Sequence, residues 1–362
     1  MKKVYYWSPY LGNIATIKAV MNSALSLVKF SNNYFSPVII NSCGEWSKYG
    51  EDLGKNNIKT KNLDNKFKLD TSISGFVKSR IAYLRIFISS FYQLKSLLEE
   101  DKPHFLIAHL ITSLPIILFM FFKFETKLII RVSGKIKMNF FRKLIWRINQ
   151  KNFYLITCPT KDSQKELIDL GIIEKKKIIF LPDPIIDIKK IHILKNQKVD
   201  NIETKKKFFL CIGRFTRQKN HVLAIKTFKK ISKKYTDVDL VIIGEGELKK
   251  EYENLINKLN LNGRISILDY DQNIFKYLKK SAVLISPSLW EDPGFVMVEA
   301  AASNTFIISS DCQSGPREFL DQDAGLLFEN NNSQDLEKKI TEFMNMSPQK
   351  INKFKLNAKR NS

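Results

Sequence analysis

Short runs of aliphatic and β-branched residues recur along the chain, each followed by a longer stretch with apolar residues at helical spacing, and this alternation leaves few folds open. Residues 4–7, 38–40, 105–108, 128–130 and 154–157 read as strands, with helices over 14–30 and 77–100. A second set of strands is read at 208–212, 239–243, 265–268, 283–286 and 306–309, with helices at 221–235, 248–259, 273–280 and 296–303. Strands apolar on both faces belong to a parallel sheet, and the intervening helices cover it. A polar, lysine-rich stretch separates the two sets. The expected fold is α/β with two Rossmann-like domains: residues 1–188, a linker at 189–206, a second domain at 207–345 and a C-terminal tail at 346–362. The 362 residues give each domain about 150 to 180, enough for its own core.

No uncharged apolar run reaches the ~18 residues of a membrane-spanning helix. The most apolar stretch, 110–122, contains Thr112, Ser113 and Pro115 and reads as a buried helix. Two lysines near the start are followed by no apolar signal region, so a cytoplasmic protein is expected. Cys43, Cys158, Cys211 and Cys312 show no Cys-x-x-Cys spacing and read as buried free thiols, with neither zinc nor disulfides expected. The net charge of +23 comes from a chain rich in lysine throughout and by itself names no partner.

Residues 287–300 read Pro-Ser-Leu-Trp-Glu-Asp-Pro-Gly-Phe-Val-Met-Val-Glu-Ala, placing Glu291 and Glu299 eight positions apart across a Pro-Gly turn. Glu291 follows a strand, at the edge where open α/β sheets bind ligands, and Glu299 falls about a turn into the next helix. Gly294, Phe295 and Val296 open that helix, whose free N–H groups can hold an anion or a sugar hydroxyl. A bare pair of glutamates would read as solvated surface charge, and it is the surroundings that favour a site. The segment resembles the Glu-x7-Glu motif of retaining glycosyltransferases, especially glycosyltransferase family 4. It departs from the common Glu-Gly-Phe-Gly wording, because Glu291 is followed by Asp-Pro-Gly-Phe, which keeps the spacing and moves the glycine.

Residues 213–220, Gly-Arg-Phe-Thr-Arg-Gln-Lys-Asn, follow the first strand of the second domain and resemble the Gly-Arg-x-x-x-x-Lys-Gly segment of the same family. A glycine lets the chain turn close to a ligand, and Arg214 and Lys219 supply fixed positive charge suited to a departing diphosphate. Taken alone, such a basic loop would read as solvated surface. Gly244-Glu245-Gly246 and Ser314-Gly315-Pro316-Arg317-Glu318 resemble two further family turns, and the likeness covers residues 208–328.

In the first domain the likeness is looser. Gly12 stands where the family has a glycine-rich loop facing the donor phosphates, a single glycine where many members have two. His109 ends the strand 105–108, as does a donor-facing histidine in the family, although a lone histidine there is equally a packed or capping residue. Ser133 precedes Gly134 where many members have histidine, a variant frequent among members acting on lipid-linked sugars. Residues 135–151 carry six basic residues and no acidic one, with Met138, Phe141, Ile145 and Ile148 at helical spacing. Three readings compete: docking to an anionic membrane, gripping nucleic acid, or a packed helix with a solvated lysine face. Trp146 and Phe140-Phe141 set membrane docking ahead, and no nucleic-acid module is seen.

The resemblance implies a GT-B fold, two Rossmann-like domains facing each other across a cleft that closes over the donor. It implies transfer, with retention and without metal or other cofactor, from a UDP- or GDP-sugar to a saccharide acceptor on a polyprenyl-diphosphate or other lipid carrier. In that scheme Arg214 and Lys219 neutralise the leaving diphosphate, Glu291 holds a donor-sugar hydroxyl, Glu299 binds the ribose, and His109 approaches the sugar. The location implied is cytoplasmic, peripheral on the inner face of the cell membrane. A nucleotide-sugar epimerase of the same fold, and a non-catalytic basic membrane- or nucleic-acid-binding protein, are the alternatives. The family's closing helix, which crosses back onto the first domain, is expected to be short or missing, since the sequence stops at Lys359-Arg360-Asn361-Ser362.

Overall fold

Alternate residues of β1 (Lys2–Trp7) point to opposite sides of a sheet, Val4 and Tyr6 into one apolar cluster, Tyr5 and Trp7 into another. The computed structural model describes residues 1–11, 15–65, 76–132, 138–199, 202, 206–291 and 293–362, and divides into two units, Met1–Ile185 and Ile186–Ser362.

In the first unit β1 is joined by β2 (Phe35–Asn41), β3 (Lys59–Asn62), β4 (Phe105–Ala108), β5 (Lys127–Arg131), β6 (Phe153–Cys158) and β7 (Ile178–Phe180). The seven strands are parallel, in the order β3-β2-β1-β4-β5-β6-β7. Helices α1 (Ala15–Phe30) and α2 (Gly50–Lys55) pack Ile17, Val20, Ala24 and Leu53 against one face. On the other face α3 (Phe76–Asp101), α4 (Ser113–Phe121) and α5 (Phe140–Asn149) bury Ile86, Leu94, Leu114, Leu118 and Trp146. The helix α6 (Lys161–Asp169) begins with a reciprocal cap between Thr160 and Ser163. The stretch expected as a buried helix is α4, with Leu114, Pro115, Ile116, Leu118 and Phe119 buried.

The second unit opens with α7 (Ile188–Leu194) and contains β8 (Lys207–Ile212), α8 (His221–Ile231), β9 (Val238–Ile243), α9 (Lys249–Lys258), β10 (Ile265–Leu268), α10 (Phe275–Lys280) and β11 (Val283–Ser286). It continues with α11 (Phe295–Ala302), β12 (Phe306–Ser310), α12 (Pro316–Phe319), β13 (Leu326–Phe328), α13 (Ser333–Met344) and α14 (Pro348–Asn361). Its six parallel strands run β10-β9-β8-β11-β12-β13. Each sheet is enclosed by helices on both faces.

Two segments differ from expectation. Residues 188–194, expected within the linker but for the first, form α7: Asp187 accepts from the Lys190 N–H at 3.1 Å, and Ile191 is buried among Phe208, Ile274 and Phe275. Most of the expected tail is α14, capped by Ser347, with Phe354 stacked on Phe306 at 5.5 Å. This helix packs on α11 and β12 of its own unit. Lysine-rich composition concealed both, because only one or two apolar side chains anchor each helix.

In both sheets the first strand of the unit lies between the second and the fourth. Chain direction away from the first strand reverses there, between β1 and β4 and again between β8 and β11. Loops leaving the carboxyl ends at such a point diverge and frame a ligand site.

Candidate functional site

At the reversal point of the second sheet, β8 runs into residues 213–220 and its neighbour β11 into 287–294. The Leu289 N–H donates to the Gln218 carbonyl at 2.8 Å, and Gln218 Nε2 donates to the Trp290 carbonyl at 3.0 Å. Lys219 Nζ donates to Glu291 Oε1 at 2.5 Å, and Ser288 Oγ donates to the same oxygen at 2.6 Å. The side chains are 16% and 7% exposed, so each charge depends on the other for compensation. Arg214 lies on the same loop, exposed, with Nη2 3.5 Å from Gln218 Oε1.

Gly294 takes φ +87° as N-cap of α11 and, being glycine, offers no capping side chain. Phe295 and Val296 are its first residues, so their N–H groups face the reversal point with the positive end of the helix dipole. Glu299, a turn further on, is buried. Gly315 brings a third loop in: at φ +107°, a Cβ there would lie 2.2 Å from the Pro293 carbonyl oxygen, so only glycine permits the approach. Ser310 Oγ donates to the Ser288 carbonyl. Beside it the Cys312 thiol is pushed up by burial, and the Glu291 charge adds to this.

The β8 and β9 loops are tied by Phe215 N–H to the Glu245 carbonyl at 2.7 Å and Leu248 N–H to the Phe215 carbonyl at 3.1 Å. Behind them His221 is fully buried, 3.4 Å from the Gly213 carbonyl, and burial lowers its pKa to about 4. Past the end of β10, a cavity of about 620 Å³ is lined by Leu268, Asp269, Tyr270, Asp271 and Tyr277.

At the reversal point of the first sheet, the His109 N–H donates to the Trp7 carbonyl at 2.8 Å, linking the ends of β4 and β1. The side chain is 1% exposed, and among the described residues neither ring nitrogen has a hydrogen-bond partner. Burial and then the Arg131 charge hold its pKa well below the usual value, so the imidazole is neutral. Arg131 is itself buried, 2.6 Å from Asp183 and donating to the Leu181 carbonyl at 2.9 Å. Gly12 and Ser133 lie outside the described residues, as do Lys135 and Lys137 of the basic segment.

The rest of that segment is α5, and its faces differ from the sequence pattern. Trp146 is buried and Ile145 partly so, whereas Phe141 is 73% and Ile148 58% exposed. A period of 3.6 residues puts 141, 144 and 148 opposite Trp146, so the outward face is apolar as well as basic. Among the described residues no helix is long and apolar enough to cross a membrane, and no three His, Cys, Asp or Glu side chains gather as a metal-binding group.

Residues 193–361 match the family of glycosyl transferases, group 1. That span holds all the second-unit loops described above. Among curated proteins the chain is 33% identical to an uncharacterized glycosyltransferase of Methanocaldococcus jannaschii, over 63% of this chain and 61% of that protein. It is 34% identical, over 50% of this chain and 48% of the relative, to a Campylobacter jejuni N-acetylgalactosamine-N,N'-diacetylbacillosaminyl-diphospho-undecaprenol 4-alpha-N-acetylgalactosaminyltransferase. The chain thus spans about half to three-fifths of these relatives' length. A glycosyltransferase structure from Rickettsia africae superimposes with a TM-score of 0.79 at 16% identity, covering 99% of this chain and 93% of the other. Anabaena HepE in complex with UDP-glucose gives 0.71 at 14% identity, covering 99% and 94%. These likenesses establish the fold as that of GT-B glycosyltransferases, two parallel-sheet Rossmann-like domains.

Sequence reasoning passed over Gln218, Ser310 and Cys312, which hold or flank the Glu291 loop. Ser288 carried a usable signal, a small hydroxyl residue two positions beyond a strand end. The other three carried none, because their role depends on strands adjacent in space and distant in sequence.

Proposed function

We propose that this chain is a retaining glycosyltransferase that moves a hexose or N-acetylhexosamine from a nucleoside-diphosphate sugar, UDP-linked in preference to GDP-linked. The acceptor is a saccharide on a polyprenyl-diphosphate or other lipid carrier, in the assembly of a surface polysaccharide or oligosaccharide. The chain works as a peripheral protein on the cytoplasmic face of the cell membrane. One observation carries the reading: Lys219 and Glu291, from two loops at the reversal point of the second sheet, meet as a shielded ion pair at the mouth of a helix N-terminus.

The chemistry follows from charge. Breaking the bond between the anomeric carbon and the diphosphate leaves negative charge on the departing oxygen, which cations already held beside it stabilise with little reorganisation. Lys219 and Arg214 take that role, with the N–H groups of Phe295 and Val296 adding the helix dipole at Gly294. No metal is assigned to it. In this reading Glu291 accepts from a hydroxyl of the donor sugar, and Glu299 from the ribose hydroxyls. His109, neutral at working pH, serves the donor sugar as a hydrogen-bonding group. The UDP preference is supported by the HepE complex, and the lipid-linked acceptor by the name of the Campylobacter relative.

The test is a thermal-shift panel of UDP, GDP, ADP and their sugar conjugates, on the wild type and on Glu299→Ala. Stabilisation by a uridine nucleotide that is lost in the variant supports the donor assignment. Absence of a shift with every nucleotide would overturn it.

A further inference from the structure

The surface of the first unit carries two apolar ridges that the described residues leave exposed. On α3, Ile81, Leu84, Ile88 and Tyr92 follow one another at helical spacing and are 48%, 59%, 63% and 77% exposed. They point away from Ala82, Ile86 and Leu94, which are in the core. On α5, Phe140, Phe141, Leu144 and Ile148 are all exposed, opposite buried Trp146. The two helices cover the same face of the sheet, with α4 packed against both and Phe121 exposed at its end.

Charge along most of these two helices is basic; the acidic residues of α3 are confined to its end, where Glu99 pairs with Lys95 at 2.7 Å. From Phe76 to Leu98 helix α3 has Lys78, Arg80, Arg85 and Lys95 and no acidic residue, and α5 has Arg142, Lys143 and Arg147 and none. Rows of bulky apolar side chains between basic ones suit the boundary between lipid headgroups and acyl chains. A second copy of the same face would bring like charges together, and a nucleic acid would leave the apolar ridges unmatched.

We infer that α3 and α5 together form the surface by which the chain docks on an anionic lipid bilayer, aliphatic and aromatic side chains entering the interface and arginines and lysines meeting lipid phosphates. This builds on the reading of a lipid-linked acceptor, but it uses residues of the first unit only, so vesicle binding and nucleotide binding can fail separately.

The experiment is co-sedimentation of the full chain with vesicles of phosphatidylglycerol and vesicles of phosphatidylcholine, at low and high salt. The wild type is expected to pellet with phosphatidylglycerol at least about tenfold more than with phosphatidylcholine, and to retain part of that binding in high salt. The pairs Leu84→Glu with Ile88→Glu on α3, and Phe141→Glu with Leu144→Glu on α5, should each lower binding about tenfold while the melting temperature stays unchanged. Because these side chains are exposed, folding is not at stake, and the melt checks it. Equal binding to both lipids, no binding, or variants that bind like the wild type would overturn the proposal. So would a concentration-dependent dimer abolished by the same variants, or tight binding to duplex DNA abolished by them, since either would give the surface to another partner.

Discussion

Lys219 Nζ lies 2.5 Å from Glu291 Oε1, and this contact joins two loops that are 72 residues apart in sequence. Breaking it from one side strands the other charge. Lys219→Met leaves the Glu291 carboxylate, 7% exposed, with Ser288 as its remaining side-chain donor among the described residues, and is expected to cost about 3 kcal/mol. Adding Glu291→Gln should recover part of that loss. A double-mutant cycle by urea unfolding measures the coupling, and simple additivity would count against a compensating pair.

For activity the expectation is different. Glu291→Gln preserves volume and the Ser288 contact, yet removes the charge proposed to hold the donor sugar, and should lower kcat about a hundredfold. Release of UDP from a UDP-sugar with acceptor present would be followed. Unchanged kcat with a raised KM would assign Glu291 to uniform binding, equal in the ground and transition states.

Acid sensitivity follows from the buried imidazoles. His221 titrates near 4 when folded against the usual 6.5. Above 6.5 both states are neutral. As pH falls from 6.5 toward 4 the unfolded chain takes up the proton first, so stability is lost across that window, by about 3 kcal/mol. His109 acts in the same direction, whereas Asp183, raised by burial, acts in the opposite one. The difference between wild type and His221→Phe isolates the term: the variant should show a flatter acid limb when unfolding free energy is measured across this range.

The approach of Gly315 to Pro293 predicts a contrast between two glycines. Gly315→Ala places a Cβ 2.2 Å from a backbone oxygen at φ +107°, and should destabilise by about 3 kcal/mol while weakening nucleotide binding. Gly54→Ala in α2 meets nothing within 4 Å, and should stabilise by about 0.5 to 1 kcal/mol. Thermal melts of the two variants would check both signs.

What could be read from sequence follows burial. Strands β8 and β9, whose residues are almost all buried, announce themselves by the apolar runs 208–212 and 240–243. The edge strand β3 reads Lys-Thr-Lys-Asn, exposed at every position, and could not be told from a loop. The strands β7 and β13, three residues each, are too short to show a period. Glu291, Lys219 and Gly294 were visible through the likeness of their segments to family motifs, but their convergence was not, since strand order is invisible in a linear pattern. On α5 the spacing was legible and the facing was not, because exposed and buried apolar residues alternate around the helix.

The adjacency of β8 and β11 also orders events during synthesis and folding. The stretch from 213 to 220 leaves the ribosome long before residue 291, with β9 and β10 and their helices to be laid down in between. Until β11 docks beside β8, Lys219 has no Glu291 to meet and Gly294 has no neighbouring loop to frame. Closing so long a loop is entropically slow, so the second unit gains its ion pair late, after the strands on the other flank are in place. Fragments that end before β11 would carry the basic loop exposed and without its counter-charge.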